Sequence, residues 1–156
     1  MIRIMELSDQ PQAFIDEAIT YIWNQWGSEH NYAFYRDCIV HALQADVDVP
    51  KFYVAADQEK EQFIGICGVL RNDLISRQDL FPWLACLYVD PAYRGKGLGS
   101  RLMKHLEEEL AGKGYTQLYL STTLDDYYER YGWSYFSQGY YMDGSGTKVY
   151  RKPLGG

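Results

Sequence analysis

Arg94-Gly95-Lys96-Gly97-Leu98-Gly99-Ser100 is the stretch on which the reading of this chain turns. Three glycines at alternate positions carry two cations between them. Before them runs an apolar segment, Leu84-Ala85-Cys86-Leu87-Tyr88-Val89, which reads as a strand. After them Leu98, Leu102, Leu106 and Leu110 recur every fourth residue, with Met103 beside Leu102, the apolar stripe of a helix. Gly112 and Gly114 are placed to end it. Strand, glycine turn and helix N-terminus in that order make a site for an anion. Glycine lets the backbone approach closely, and the first N–H groups of a helix have no intrahelical acceptor. Those donors and the positive end of the helix dipole favour phosphate.

Local charge points the same way. The whole chain has a formal charge of −6, yet from Asp90 to Lys104 four cations (Arg94, Lys96, Arg101, Lys104) face one anion, Asp90. Positive charge concentrated in an acidic protein indicates a specific anionic ligand and argues against general affinity for nucleic acid. The ligand class narrows by exclusion. A P-loop needs Gly-x-x-x-x-Gly-Lys-Ser/Thr, which is not present here. The dinucleotide fingerprint Gly-x-Gly-x-x-Gly fails because Ser100 or Leu102 takes the place of the third glycine.

The 156 residues suit one domain, 1–156, large enough for a real core. Aromatic residues make up 16% of it, enough for some of the 15 tyrosines to face a ligand as well as fill the core. No apolar run approaches 18 residues and no signal-peptide pattern is seen, so neither a membrane span nor export is expected. Cys38, Cys67 and Cys86 are odd in number and set among apolar residues, and read as core thiols in a cytoplasmic protein. His30, His41 and His105 have no metal-ligand spacing, and no metal is expected.

Along the chain, Ile2 to Leu7 alternates as a strand. Ser8-Asp9 offers a cap for a first helix whose apolar face runs from Phe14 to Trp26, ending at Gly27. Ser28 offers a cap for a second helix with a stripe of Tyr32, Tyr35, Cys38, Ile39, Ala42 and Leu43. Strands are expected at 52–56 and 63–70, joined by the polar turn 57–60, and at 80–89, with Pro82 marking a beginning, bulge or edge. A buried central strand at 116–120, a short helix at 125–131 closed by Gly132, and a hairpin of 133–142 with 147–151 complete the chain. The expected order is β-α-α-β-β-β-α-β-α-β-β. Hairpins and crossovers together imply a mixed sheet in an α/β, or α+β, fold.

Two motifs and this element order resemble the GNAT superfamily of N-acetyltransferases. The pyrophosphate loop of that family, Gln/Arg-x-x-Gly-x-Gly/Ala, is matched by Arg94, Gly97 and Gly99, and Val89-Asp90-Pro91 precedes it. The family's C-terminal Tyr-Glu-Lys-x-Gly-Phe is similar to Tyr128-Glu129-Arg130-Tyr131-Gly132-Trp133. The resemblance implies direct transfer of an acetyl group from acetyl-CoA to a primary amine, on a small molecule or a peptide. It implies Tyr128 as general acid, with Tyr127 its neighbouring rival. It implies backbone contacts to the coenzyme from Leu87 and Val89, and a cradle from Arg94, Gly95, Lys96, Gly97, Leu98, Gly99 and Ser100. The acceptor wall would fall on the first two helices and their connection, with Trp26 and Glu29. Family members take the amine proton with a glutamate on the central strand or with a water relay. Residues 80–89 contain no carboxylate, which favours water over Glu29, Asp79, Asp125 or Asp126. Asparagine often stands at the strand end before the tyrosine; here it is Ser121-Thr122-Thr123. A monomer or homodimer without nucleic acid or membrane is expected. The alternative is a non-catalytic module that senses acyl-CoA or engages a partner.

Overall fold

A computed structural model describes residues 1–155. One seven-stranded sheet runs through it in the order β1-β2-β3-β4-β5-β7-β6. The strands are β1 (Ile2–Glu6), β2 (Lys51–Asp57), β3 (Gln62–Leu70), β4 (Trp83–Val89), β5 (Gln117–Thr122), β6 (Ser134–Tyr140) and β7 (Gly146–Pro153). Three helices cover it: α1 (Gln12–Trp26), α2 (Tyr32–Gln44) and α3 (Leu98–Gly112). All neighbours pair antiparallel except β4 and β5, which run parallel and are joined by α3 as a crossover. The mixed α/β sheet expected from the sequence is the one observed.

Strand periodicity sets the layers. Phe52 and Val54 of β2 and Ile66 of β3 turn to α1 and α2, where Ala18, Ile19, Ile22, Ile39 and Ala42 bury against them. Tyr53 and Ala55 turn to the opposite face, where Leu98, Leu102, Met103, Leu106 and Leu110 form the buried stripe of α3. Each such Leu, fully buried, contributes about 1.5–3 kcal/mol. The burial of that stripe fixes where the first turn of α3 ends up, and so where the glycine loop ends up.

Several local expectations are corrected. Ser8 and Asp9 lie in a single 3-10 turn and do not cap α1, whose N-terminus follows Pro11. Ser28 does not cap α2 either. Its carbonyl accepts the Trp23 indole N–H at 2.8 Å, and its own N–H donates to Asn31 at 2.7 Å, so α2 begins at Tyr32. Cys38 is exposed on α2 and is not a core thiol, whereas Cys67 is fully buried. β4 starts at Trp83, just beyond Pro82. The segment 125–131 forms no α-helix: only Glu129–Tyr131 make a 3-10 turn, closed by Gly132 at φ 91°. Among the described residues, no helix is long and apolar enough to cross a membrane.

Candidate functional site

Two irregularities open the sheet at its centre. β4 and β5 meet only at Trp83 and Tyr119 and then part, leaving a cleft between their C-terminal halves. β4 also bulges. Ala85 faces Gly68 and Tyr88 faces Ile66, so Cys86 and Leu87 together stand opposite Cys67 alone. Cys86 takes a left-handed conformation, φ 55°, to make the bulge. Two residues cannot share one set of ladder partners, so a bulge re-aims backbone groups into the cleft beside it. For a side chain carrying Cβ, the left-handed region is strained, and such strain persists only where the surrounding fold imposes it.

The glycine loop closes one end of the cleft. Gly97 is the residue before α3, at φ 79° and ψ 10°, with no side chain capping the helix. The N–H groups of Leu98, Gly99 and Ser100 therefore have no intrahelical acceptor. Gly95 takes φ 78°, and a Cβ placed on Gly95 or on Gly97 would meet nothing within 4 Å. Glycine is required at both for the dihedral, and the space beside both is open. At Gly99 the dihedral is ordinary, and a Cβ would touch Val89 at 3.7 Å, an unstrained contact.

Hydrogen bonds hold the loop in place. The Tyr93 hydroxyl donates to Asp57 at 2.6 Å, tying the loop to the β2–β3 turn. That bond holds the Asp57 carboxyl below its ordinary value and pushes the Tyr93 phenol up to about 12. Arg94 folds back, its Nε donating to the Val89 carbonyl at 2.8 Å and its guanidinium lying 5.3 Å from the centre of the Tyr88 ring. Lys96 lies 5.6 Å from the centre of the Tyr93 ring. The two cations of the motif thus rest on aromatic faces at the loop's rim.

A cavity of about 610 Å³ lies along this loop, walled by Leu87 and Val89 of β4, by residues from Arg94 to Ser100, and by Tyr127, Tyr128 and Tyr131. A second cavity, of about 160 Å³, adjoins it, walled by Trp26, Asp73, Leu84, Ala85, Cys86, Leu87, Leu120, Ser121 and Tyr128. Leu87 and Tyr128 belong to both. Tyr127 lines only the larger, so Tyr128 is the member of the pair at the junction. Its carbonyl accepts from Tyr131 N–H at 3.0 Å and Trp133 N–H at 3.3 Å, and its ring packs edge-on against Tyr127 and Trp133. Lys152 steadies the same turn, donating to the Tyr131 carbonyl at 2.7 Å. Burial, with Tyr127 adding to it, pushes the Tyr128 phenol up to about 12.

The structure brings Leu87, Val89, Arg94, Gly95, Gly97, Leu98, Gly99, Ser100 and Tyr128 to one cavity and Trp26 to the other. Lys96 lines neither, staying on Tyr93. Glu29 also lies outside both, exposed and paired with His30 at 3.0 Å. Asp79 is held by Arg77 through bonds of 3.0 and 2.9 Å, and Asp125 by Lys148. Ser121 lines the smaller cavity, whereas Thr122 is buried and accepts the Leu124 N–H at 3.0 Å.

One residue escapes sequence reasoning. Asp73 sits in the polar connection 71–82, where nothing in its neighbours marks it apart from a surface charge. The fold brings that connection to the mouth of the cleft. Among the described residues, Asp73 is the sole carboxylate in the wall of either cavity. Burial pushes its carboxyl up to about 6.

Comparison with known proteins follows this geometry. Residues 48–135 match the family described as acetyltransferase (GNAT) domain. No curated protein matches the chain in sequence. Among solved structures, an aminoglycoside 6'-N-acetyltransferase complexed with coenzyme A is similar with a TM-score of 0.72 at 16% identity, over 99% of this chain and 98% of that one. An aminoglycoside 6'-acetyltransferase type Ii gives 0.67 at 20% identity, over 99% and 98%. An acetyltransferase of the GNAT family from Staphylococcus aureus Mu50 gives 0.68 at 16%, over 99% and 100%. At these identities the likeness is one of fold.

Proposed function

The chain belongs to the GNAT acetyltransferase family, and from that membership we propose that it is an acetyl-CoA-dependent N-acetyltransferase acting on a primary amine. The observation that carries this reading is the pair of cavities meeting at Tyr128 and Leu87. One runs along the glycine loop and would take the coenzyme; the other, smaller and lined by one carboxylate, would take the acceptor.

The residues fit that donor. The unpartnered N–H groups at the start of α3 and its dipole suit a pyrophosphate, and the open space beside Gly95 and Gly97 leaves room for it. Arg94 and Lys96 add positive charge at the rim. The β4 bulge offers the backbone of Leu87 and Val89 to the arm that follows. The Val89 carbonyl is engaged by Arg94. Acetyl-CoA, when bound, supplies the acetyl group as a reactive thioester.

Tyr128 acts as the acid. A thiol of ordinary pKa near ~8.5 leaves as a thiolate and needs a proton as it goes. A phenol held at about 12 keeps its proton through neutral and alkaline pH, so Tyr128 is present as a donor and not as a base. The acceptor must arrive with a free lone pair. An alkylamine has a pKa near ~10, so on the order of one molecule in a thousand is neutral at pH 7. A group that takes that proton is therefore required. Trp26, in the wall of the smaller cavity, supplies an aromatic ring for the cation.

The test is thiol release from acetyl-CoA over a panel of primary amines, with the acetylated product identified by mass. Transfer to nitrogen is the expected result; binding of coenzyme A without transfer to any amine would instead indicate a sensing module.

A further inference from the structure

We propose that Asp73 takes the proton from the ammonium group of the acceptor, and that the pocket it lines admits a primary amine while turning away α-amino acids. This rests on the reading of the larger cavity as the acyl-CoA site.

Three features of the smaller cavity carry the inference. First, Asp73 is its sole charged side chain; the walls contain no Lys, Arg or His. An ammonium placed there meets one carboxylate and the Trp26 ring. An α-amino acid would bring its own carboxylate beside Asp73, with no cation in the walls to offset the repulsion. Secondly, the rest of the wall is neutral: Ser121 and Tyr128 bring polar groups among Leu84, Ala85, Leu87 and Leu120, so Asp73 carries the charge that an acceptor meets there. Thirdly, the pocket ends on Tyr128, the residue it shares with the larger cavity. An amine held by Asp73 thus lies between its proton acceptor and the group that protonates the leaving sulfur.

The surroundings keep Asp73 poised for this. Burial raises its carboxyl to about 6, so it is ionised at pH 7 yet far more basic than an exposed aspartate. The titratable groups facing it from the packed elements are Cys86 of β4 and Tyr128. Burial pushes each up to about 12, so both are neutral at working pH. On its own connection, Arg77 is engaged by Asp79. An arriving ammonium therefore meets an unpaired carboxylate.

The protons balance. One leaves the acceptor nitrogen for a carboxylate oxygen of Asp73, which later loses it to water. As the C–N bond forms and the C–S bond breaks, Tyr128 gives its hydroxyl proton to the departing sulfur. It recovers a proton from the newly acylated nitrogen. The products are the amide, the free thiol and one released proton.

The experiment is a carbon-13 carboxyl NMR titration of the full chain, with Asp73 assigned by the resonance lost in Asp73→Asn. In the presence of coenzyme A, Asp73 should titrate near 6. Added n-pentylamine should move that midpoint down, because a nearby cation favours the carboxylate. Norleucine, which is pentylamine bearing an α-carboxylate, and 1-pentanol, which lacks the charge, should leave it in place. Asp73→Asn should bind coenzyme A within about twofold of wild type, lose about a hundredfold in kcat/KM for amines, and lose the acid limb of the pH profile near pH 6. A midpoint near 4 that pentylamine does not move would overturn the proposal. So would an equal response to norleucine, or an Asp73→Asn enzyme with an unchanged pH profile. If Asp73→Asn does not fold, the resonance lost in Asp73→Glu gives the assignment, and the wild-type titration then decides. Wild type failing to bind coenzyme A would instead overturn the donor reading, and this one with it.

Discussion

Tyr128 and Asp73 stand in the wall of one cavity of about 160 Å³, although one follows β5 and the other precedes β4. Burial acts on both in the same direction, to about 12 for the phenol and about 6 for the carboxyl, with opposite chemical results. The phenol is kept protonated at neutral pH and can only donate. The carboxyl is kept ionised but basic and can only accept. Two groups whose environments divide them this way are the acid and base of the reaction proposed above.

Tyr128→Phe removes the acid and keeps the ring that packs on Tyr127 and Trp133. The expected result is a fall in kcat of about a hundredfold or more, with coenzyme A affinity unchanged by calorimetry. In wild type, the raised phenol predicts no loss of rate as pH passes the ordinary tyrosine value of ~10, since the proton is held until about 12. Full turnover by the variant would remove Tyr128 from the mechanism.

Gly97→Ala tests the cradle. At φ 79° an alanine is strained by about 1–2 kcal/mol, and its Cβ would project into the space beside the start of α3. Both stability and coenzyme affinity should fall, the latter about tenfold. Gly99→Ala has neither strain nor close contact and should stay near wild type in stability. Equal coenzyme affinity in Gly97→Ala and wild type would move the pyrophosphate away from this loop.

Tyr93→Phe tests the anchor of the loop. The Tyr93 hydroxyl holds the Asp57 carboxyl below its usual 3.8, so it stabilises the ionised form. That contribution is present above pH 3.8 and is lost as pH falls through the lower folded value. The variant should therefore unfold at a lower temperature than wild type at pH 7, with the gap narrowing in acid. A gap independent of pH would assign the effect to packing alone.

Asp73→Asn should raise stability while lowering activity. The folded carboxyl titrates near 6 and the unfolded one near 3.8. Between those values the native state keeps a proton that the unfolded chain loses, so wild-type stability declines as pH rises through the window. Above it the full effect is present. The variant should gain about 1–2 kcal/mol at pH 7.5, less than the whole shift because Asp73 is only partly buried, and nothing at pH 3. Denaturant unfolding at the two pH values measures both. A variant less stable at pH 7.5 would mean that Asp73 is held by a partner in the native state.

What could be read from the sequence divides by range. The α3 stripe, the glycine loop before it and the hairpins are set by neighbours within a few residues, and periodicity exposes them. Tyr128 is legible through its resemblance to the family motif, a tyrosine four residues before a turn glycine, because Tyr128, Glu129 and Gly132 lie close together in the chain. Asp125 to Tyr131 contains no glycine or proline to stop a helix, and the break comes from Asp126, which takes φ 56°. Asp73 was invisible, since its role depends on β4 and β5 separating beyond Trp83 and on a distant connection folding across the gap. Glu29 was readable as a charge beside an aromatic wall, but its side chain turns to His30 at the surface. Local chemistry points to the proposed donor end of the site, and only the fold points to the proposed acceptor end.

The most direct measurement is acetyl transfer itself: thiol release from acetyl-CoA by the full chain with n-pentylamine, spermidine and aminoglycosides as acceptors, and mass analysis of each amine. The expected result is saturable thiol release that depends on the amine, with one acetyl group gained at a primary nitrogen, and its near-abolition by Tyr128→Phe. Tight binding of coenzyme A with no acetylated amine and no amine-dependent thiol release would contradict catalysis.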